Sequence, residues 1–253
     1  MGNFFPRWSN FLPLKLAFCF GVLGIAVAVG MTYYFTPKYT RVGYMPSQPV
    51  AFDHGIHAGQ LGLDCRYCHS FVEDSPHSNV PTTQTCFNCH SQVQKENPKL
   101  APVWESMSSG DPLEWVQIHQ IPDYAYFDHS VHVARGVSCV KCHGQVNEME
   151  TVYHAEPHSM GWCLECHRAP EKSLRPGREV FNLDWKPGDE DRGTFYREVA
   201  KQTGRSYEDV LEDARARFGF TDLGDEMTQK EVGETLVEAW NVRPPESCST
   251  CHR

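Results

Sequence analysis

Phe52-Asp53-His54-Gly55-Ile56-His57 returns as Phe127-Asp128-His129-Ser130-Val131-His132, 75 positions further on. Each copy leads into a Cys-x-x-Cys-His motif. The first, Cys65-Arg66-Tyr67-Cys68-His69, follows after seven residues; the third, Cys139-Val140-Lys141-Cys142-His143, follows after six. Each half then carries another motif, the second at Cys86-Phe87-Asn88-Cys89-His90 and the fourth at Cys163-Leu164-Glu165-Cys166-His167. Matching cysteines lie 74 and 77 residues apart. Self-similarity at a near-constant offset reads as a repeated structural unit, so residues 51–169 are a duplication of a two-motif unit. A fifth motif, Cys248-Ser249-Thr250-Cys251-His252, stands outside the repeat.

Ten of the 11 cysteines belong to these motifs. Two thiols three positions apart can add to the two vinyl groups of one porphyrin, and the histidine beside the second is carried under the iron. A zinc ribbon wants its Cys-x-x-Cys pairs in twos, and five is odd. Disulfides and thioredoxin-like chemistry need no histidine after the second cysteine. The motifs therefore predict five covalently bound haem c groups on Cys65, Cys68, Cys86, Cys89, Cys139, Cys142, Cys163, Cys166, Cys248 and Cys251. His69, His90, His143, His167 and His252 are the expected proximal ligands.

Of 13 histidines, eight are left over. His54, His57, His129 and His132 fall in the repeated Phe-Asp-His-x-x-His. Histidines three apart on a helical turn share a side, so one reaches the local haem and the other a neighbour. These four are expected as distal ligands. For the fifth distal position the first choice is His119, in Trp115-Val-Gln-Ile-His119. Met160 is the competing choice, since a thioether would raise that haem's potential. His77, His154 and His158 stay open as alternatives. Asp53 and Asp128 precede the ligand histidines and either orient them or are merely solvated; solvation is favoured.

Leu16 to Phe35 is an uncharged run of twenty residues, long enough to cross the hydrocarbon layer as a helix. Tyr33, Tyr34 and Phe35 would sit in an interfacial belt. A cleaved signal peptide with Ala26-Val27-Ala28 at its cleavage site is the rival; the apolar run continues past that site, so a retained anchor is expected. Arg7 and Lys15 on one side balance Lys38 and Arg41 on the other, which leaves orientation to the chemistry: haem is joined to Cys-x-x-Cys-His outside the cytoplasm. The expected layout is a cytoplasmic N-terminus (1–13), a transmembrane helix (14–35), a periplasmic tetrahaem region (36–169), and a helical and looped extension (170–253) ending in the fifth motif. This is a single-pass protein of the inner (cytoplasmic) membrane. Cys19 lies mid-span, and a buried membrane cysteine is preferred over a lipobox because Phe18 is too large for the position before it.

A net charge of −9 with 23 Lys and Arg offers no basic stripe, which excludes nucleic acid as a partner. Aliphatic residues are thin beyond residue 35, so a conventional core looks undersized and porphyrin would fill it. The fold class expected is mainly α with extensive irregular loops. Between 170 and 247 the reading is mostly helical, with Ser206/Asp209 and Thr228/Glu231 as capping pairs, a stop at Gly219, and turns at Arg175-Pro-Gly and Lys186-Pro-Gly.

Phe-x-His-x-x-His before Cys-x-x-Cys-His resembles the cytochromes of the c7 and c3 kind, where the first histidine ligates the local haem and the second another. The whole arrangement is more specific. The N-terminal apolar helix, five motifs, His119-Gln-Ile-Pro-Asp-Tyr before Phe127, and Met160-Gly-Trp-Cys163-Leu-Glu-Cys166-His167-Arg168 together resemble the pentahaem cytochrome c subunit of alternative complex III. The resemblance spans roughly residues 12–170 and the last motif; residues 171–247 resemble nothing informative. It implies an electron-transfer subunit of a quinol-oxidising respiratory membrane complex. Its expected partners are an iron–sulfur subunit, a polytopic quinol-binding subunit and a monohaem cytochrome c or oxidase. Two other classes remain: a single-helix membrane quinol dehydrogenase that oxidises quinol itself, and a multihaem enzyme with an open haem iron. No catalytic residue stands out.

Overall fold

The computed structural model describes residues 6–35 and 40–252. The chain divides into two units, residues 1–43 and 44–253. In the first, a 3-10 turn over Arg7–Phe11 runs into helix α1, Leu12–Phe35. Its 24 residues give a length of about 36 Å at the usual helical rise, enough for the hydrocarbon layer. Apolar side chains cover it on every side and none is buried, which suits lipid on all faces. The helix starts two residues before the expected boundary at 14 and takes Lys15 into its first turn, with Pro13 near the start, where its missing N–H costs nothing.

The second unit is helical and looped, without a β-strand among the described residues; two isolated antiparallel bridges join Ala125 to His252 and Val137 to Leu174. Each of the five motifs is a helical turn: α2 Cys65–Cys68, α3 Thr83–His90, then, after α4 Ala101–Ser109 and α5 His129–Ala134, α6 Val140–His143, α7 Met160–Arg168 and, last in the chain, Cys248–Cys251. Turn geometry is what the chemistry requires, because cysteines three apart then lie on one side. The histidine N–H closes the turn onto the first cysteine's carbonyl at 2.8 Å for His69, His143 and His252.

Between residues 44 and 169 few apolar side chains are buried: Val50, Val72, Val103 and Met149. The core lies further on. Helices α8 (Arg192–Thr203), α9 (Tyr207–Phe218) and α10 (Gln229–Ala239) pack Leu174, Trp185, Phe195, Tyr196, Val199, Val210, Leu211, Met227, Val232 and Leu236 together. Their ends obey local chemistry. Asp191, Ser206 and Thr228 accept from the N–H groups of Thr194, Asp209 and Glu231, satisfying donors that have no helical partner. Gly204 and Gly219 close α8 and α9 in the left-handed conformation.

A charged pair sits inside this core. The Arg192 guanidinium binds Glu231 through Nε and Nη2 at 2.8 and 2.9 Å, with relative exposures of 2% and 3% for the two residues. Its other donors go to the carbonyls of Asp222, Asp225 and Glu226, its face covers Phe220, and the Tyr196 hydroxyl donates to Glu231. Because every polar atom of the fork finds a partner, the charge is tolerated without water.

Candidate haem-binding sites

The repeated hexapeptide is repeated in space. Phe52 stacks on His57 at 4.4 Å and 26° and meets His54 edge-on at 4.7 Å and 86°. Phe127 does the same with His132 at 4.6 Å and 26° and with His129 at 4.7 Å and 88°. The two copies differ in winding, Gly55–Gln60 being a π-helical turn and α5 an ordinary helix, and in the first histidine, whose Nδ1 is without a hydrogen-bond partner in His54 but bonded in His129. Asp53 and Asp128 cap these turns, their carboxylates accepting from Ile56 N and Ser130 N. The Ser130 hydroxyl beside Asp128 holds its carboxyl below the usual range. It is the carbonyls of the two aspartates, rather than the carboxylates, that hold the imidazoles: His57 Nδ1 and His132 Nδ1 each donate to them at 2.7 Å.

The same arrangement recurs at four further rings. His129 Nδ1 donates to Pro76 O at 2.7 Å, His69 to Asn79 O at 2.7 Å, His90 to Val93 O at 3.0 Å and His167 to Pro245 O at 2.7 Å. A carbonyl only accepts, so each Nδ1 carries a proton, and in the neutral ring that leaves the Nε2 lone pair for a metal. That is the tautomer a metal-ligating histidine needs, with its second nitrogen anchored.

Three rings of this set face three others. His57 lies 6.1 Å from His90, His129 6.3 Å from His143, and His132 6.3 Å from His167. Two metal–nitrogen bonds of about 2 Å, together with the distance from each ring centre to its nitrogen, span such a gap. His54 has His69 as its electrostatic neighbour, and burial lowers its pKa to about 4, which favours the neutral, ligating form. Among the described residues no three His, Cys, Asp or Glu side chains converge on a point suited to a bare metal ion. Paired thiols on one turn, with opposed imidazoles nearby, fit haem c and do not fit zinc. The ten motif cysteines are free of disulfides.

The remaining candidates fall elsewhere. His119 sits against His143 at 4.3 Å and 84°, and 5.2 and 5.7 Å from His154 and His158. Its Nε2 is buried without a hydrogen-bond partner, and desolvation lowers its pKa to about 4. This places it beside the third motif instead of the fifth. The closely spaced, perpendicular contact also differs from the opposed pairs. His158 has both nitrogens engaged, with His154 Nε2 at 3.2 Å and Cys142 O at 3.0 Å. Met160, 63% exposed, opens helix α7, and His77 is also exposed. The ring beside His252 is Tyr124, at 5.7 Å.

Tyr124 and the carbonyls of Pro76, Asn79, Val93 and Pro245 escaped sequence reasoning. A carbonyl has no sequence signature. Asn79 left one faint sign, since asparagine tolerates the positive φ of 58° it adopts; its side chain also binds Cys68 O and Phe71 N.

Among the described residues, helices without strands, wrapped in loops and carrying Cys-x-x-Cys-His turns, have the architecture of c7-type multihaem cytochrome domains, and covalently bound haem c goes with that architecture. Comparison with known proteins agrees. Residues 125–192 match the family described as cytochrome c7 and related cytochrome c, and residues 35–110 match the class III cytochrome c family. The chain is also similar to the protein named "Menaquinone reductase, multiheme cytochrome c subunit" of Nitratidesulfovibrio vulgaris, 33% identical over 129 residues. That stretch is 51% of this chain, and it spans 59% of the relative's length.

Proposed function

We propose that this chain is an electron-transfer subunit of a quinone-linked respiratory complex, anchored by α1 with its haem-bearing unit on the periplasmic side and carrying five haem c groups. The observation that carries this reading is the set of opposed imidazole pairs 6.1–6.3 Å apart. Haem iron held between two imidazoles exchanges electrons and offers no open position to a substrate. In this assignment His54, His57, His129 and His132 lie across from His69, His90, His143 and His167. Backbone carbonyls fix six of these rings, those of His57, His69, His90, His129, His132 and His167. For His252 the opposite ligand stays a choice between His119 and Met160, and the place of His119 beside His143 argues against it. The partners proposed are an iron–sulfur subunit, a polytopic quinone-binding subunit and a monohaem cytochrome c.

The direction of flow has two readings. The resemblance to alternative complex III supports quinol oxidation; the relative named as a menaquinone reductase supports delivery of electrons to menaquinone. A redox titration of the native assembly separates them. Haem potentials mainly above the quinone couple support oxidation, and potentials mainly below it support reduction. A haem-stained native gel of solubilised membranes tests the complex itself: a band that migrates at the mass of this chain alone refutes it. Quinol oxidation by the isolated chain would favour a self-sufficient dehydrogenase. Carbon monoxide binding to the reduced protein would favour an enzyme with an open iron, since a fully six-coordinate set binds almost none.

A further inference from the structure

The repeat predicts pairs of motifs but not how the five are strung together. Contacts between their immediate surroundings decide that. The first and second motifs touch through Asn88 Nδ2, which donates to the Tyr67 hydroxyl at 3.4 Å, and share the turn that carries both His54 and His57. The first and third motifs have Cys65 and Cys139 as electrostatic neighbours. Beside them His129, which faces the third motif's His143, receives its anchor from Pro76 in the loop after the first motif. Third and fourth are joined by α5, whose His129 and His132 face His143 and His167 respectively. His158 adds to this join, donating to Cys142 O while its ring lies 5.2 Å from Trp162. Fourth and fifth are joined where His167 donates to Pro245 O and Arg168 pairs with Glu246 at 2.9 Å, two residues before Cys248.

We infer that the motifs form a single file in the order second, first, third, fourth, fifth, with electrons entering and leaving through the second and the fifth. Exposure supports these ends independently: among the motif cysteines Cys89 and Cys248 are exposed and the other eight are half-buried. The centre agrees as well. His143 of the third motif is crowded by His119, His129 and His158, the densest ring cluster among the described residues and the position furthest from either end. The file runs against the sequence at its first step, so the pair of motifs in the first half is reversed relative to the pair in the second.

This inference rests on the five-haem reading, and two measurements on the haem-loaded full chain in detergent keep the two apart. Intact mass counts the haems: fewer than five overturns the reading beneath, while the order of those present can still be read. An experimental structure of the same preparation gives the order directly, and a second-motif macrocycle whose nearest neighbour is any other than the first overturns the file. A solution counterpart uses His57→Met and His129→Met, each raising the potential of one haem by thioether ligation. An end haem has one neighbour, so H57M should shift two potentials, its own and the first motif's. A central haem has two, so H129M should shift three. Equal numbers of shifted potentials for the two variants would contradict the order.

Discussion

Residues 44–169 and residues 170–247 belong to one compact unit yet are held together by different means. The first stretch buries only a handful of apolar side chains and is tied by imidazole–carbonyl hydrogen bonds, one of them between residues 53 apart. The second has a contiguous apolar core around a satisfied buried ion pair. A chain that leaves its own interior unfilled over more than a hundred residues is built around something it does not encode. The extension, by contrast, has what a small helical bundle needs by itself, and it braces the cofactor region. Ser138 Oγ donates to Val180 O at 2.6 Å, and Arg175 N donates to Gly136 O at 3.0 Å.

The largest expected effect therefore comes from withholding haem. Expressed without covalent attachment, the chain should lose hydrogen-exchange protection throughout 44–169 and keep it in α8–α10; uniform loss across both stretches would erase the distinction. Next is Glu231→Ala, which strands the Arg192 guanidinium and should cost about 3–5 kcal/mol. Denaturant unfolding of the haem-loaded protein, followed by far-ultraviolet dichroism, reads that loss, while the haem absorption bands should hold until the helices give way. Ser206→Ala removes the cap of α9 and should cost about 1 kcal/mol in the same titration. The smallest effect concerns Asp191, whose hydrogen bonds from Thr194 lower its pKa. A lowered folded pKa means the stabilisation is present above the ordinary carboxylate pKa of about 3.9 and disappears as pH falls through the folded value. Asp191→Asn should flatten that acid limb of the stability curve without altering the haem spectrum.

The two regions also differed in how far the sequence disclosed them. The five motif turns follow directly from Cys-x-x-Cys-His, because the chemistry of attachment dictates spacing, and the capped starts at Ser206 and Thr228 follow from side-chain chemistry alone. Helix α8 falls in a stretch that reads as mostly helical, but its bounds did not stand out although Asp191 and Gly204 frame it, since its apolar positions make sense only against α9 and α10. His119 illustrates the other limit. A histidine in an extended segment carries no information about which distant motif it will reach, and the structure sends it to the third. The aspartates of the repeat were expected to be solvated; their carboxylates cap a turn while their carbonyls, invisible to any reading of side chains, do the holding.

One contact bears on manufacture. His167 is anchored by Pro245, a residue 78 positions later in the chain, whereas His129 is anchored by Pro76, which precedes it by 53. A polypeptide made from its N-terminus presents the third site with its support already delivered. The fourth must wait, its imidazole untethered, until the whole helical extension has been made. During synthesis the extension thus acts as a timer, holding one site provisional until the segment that completes it arrives.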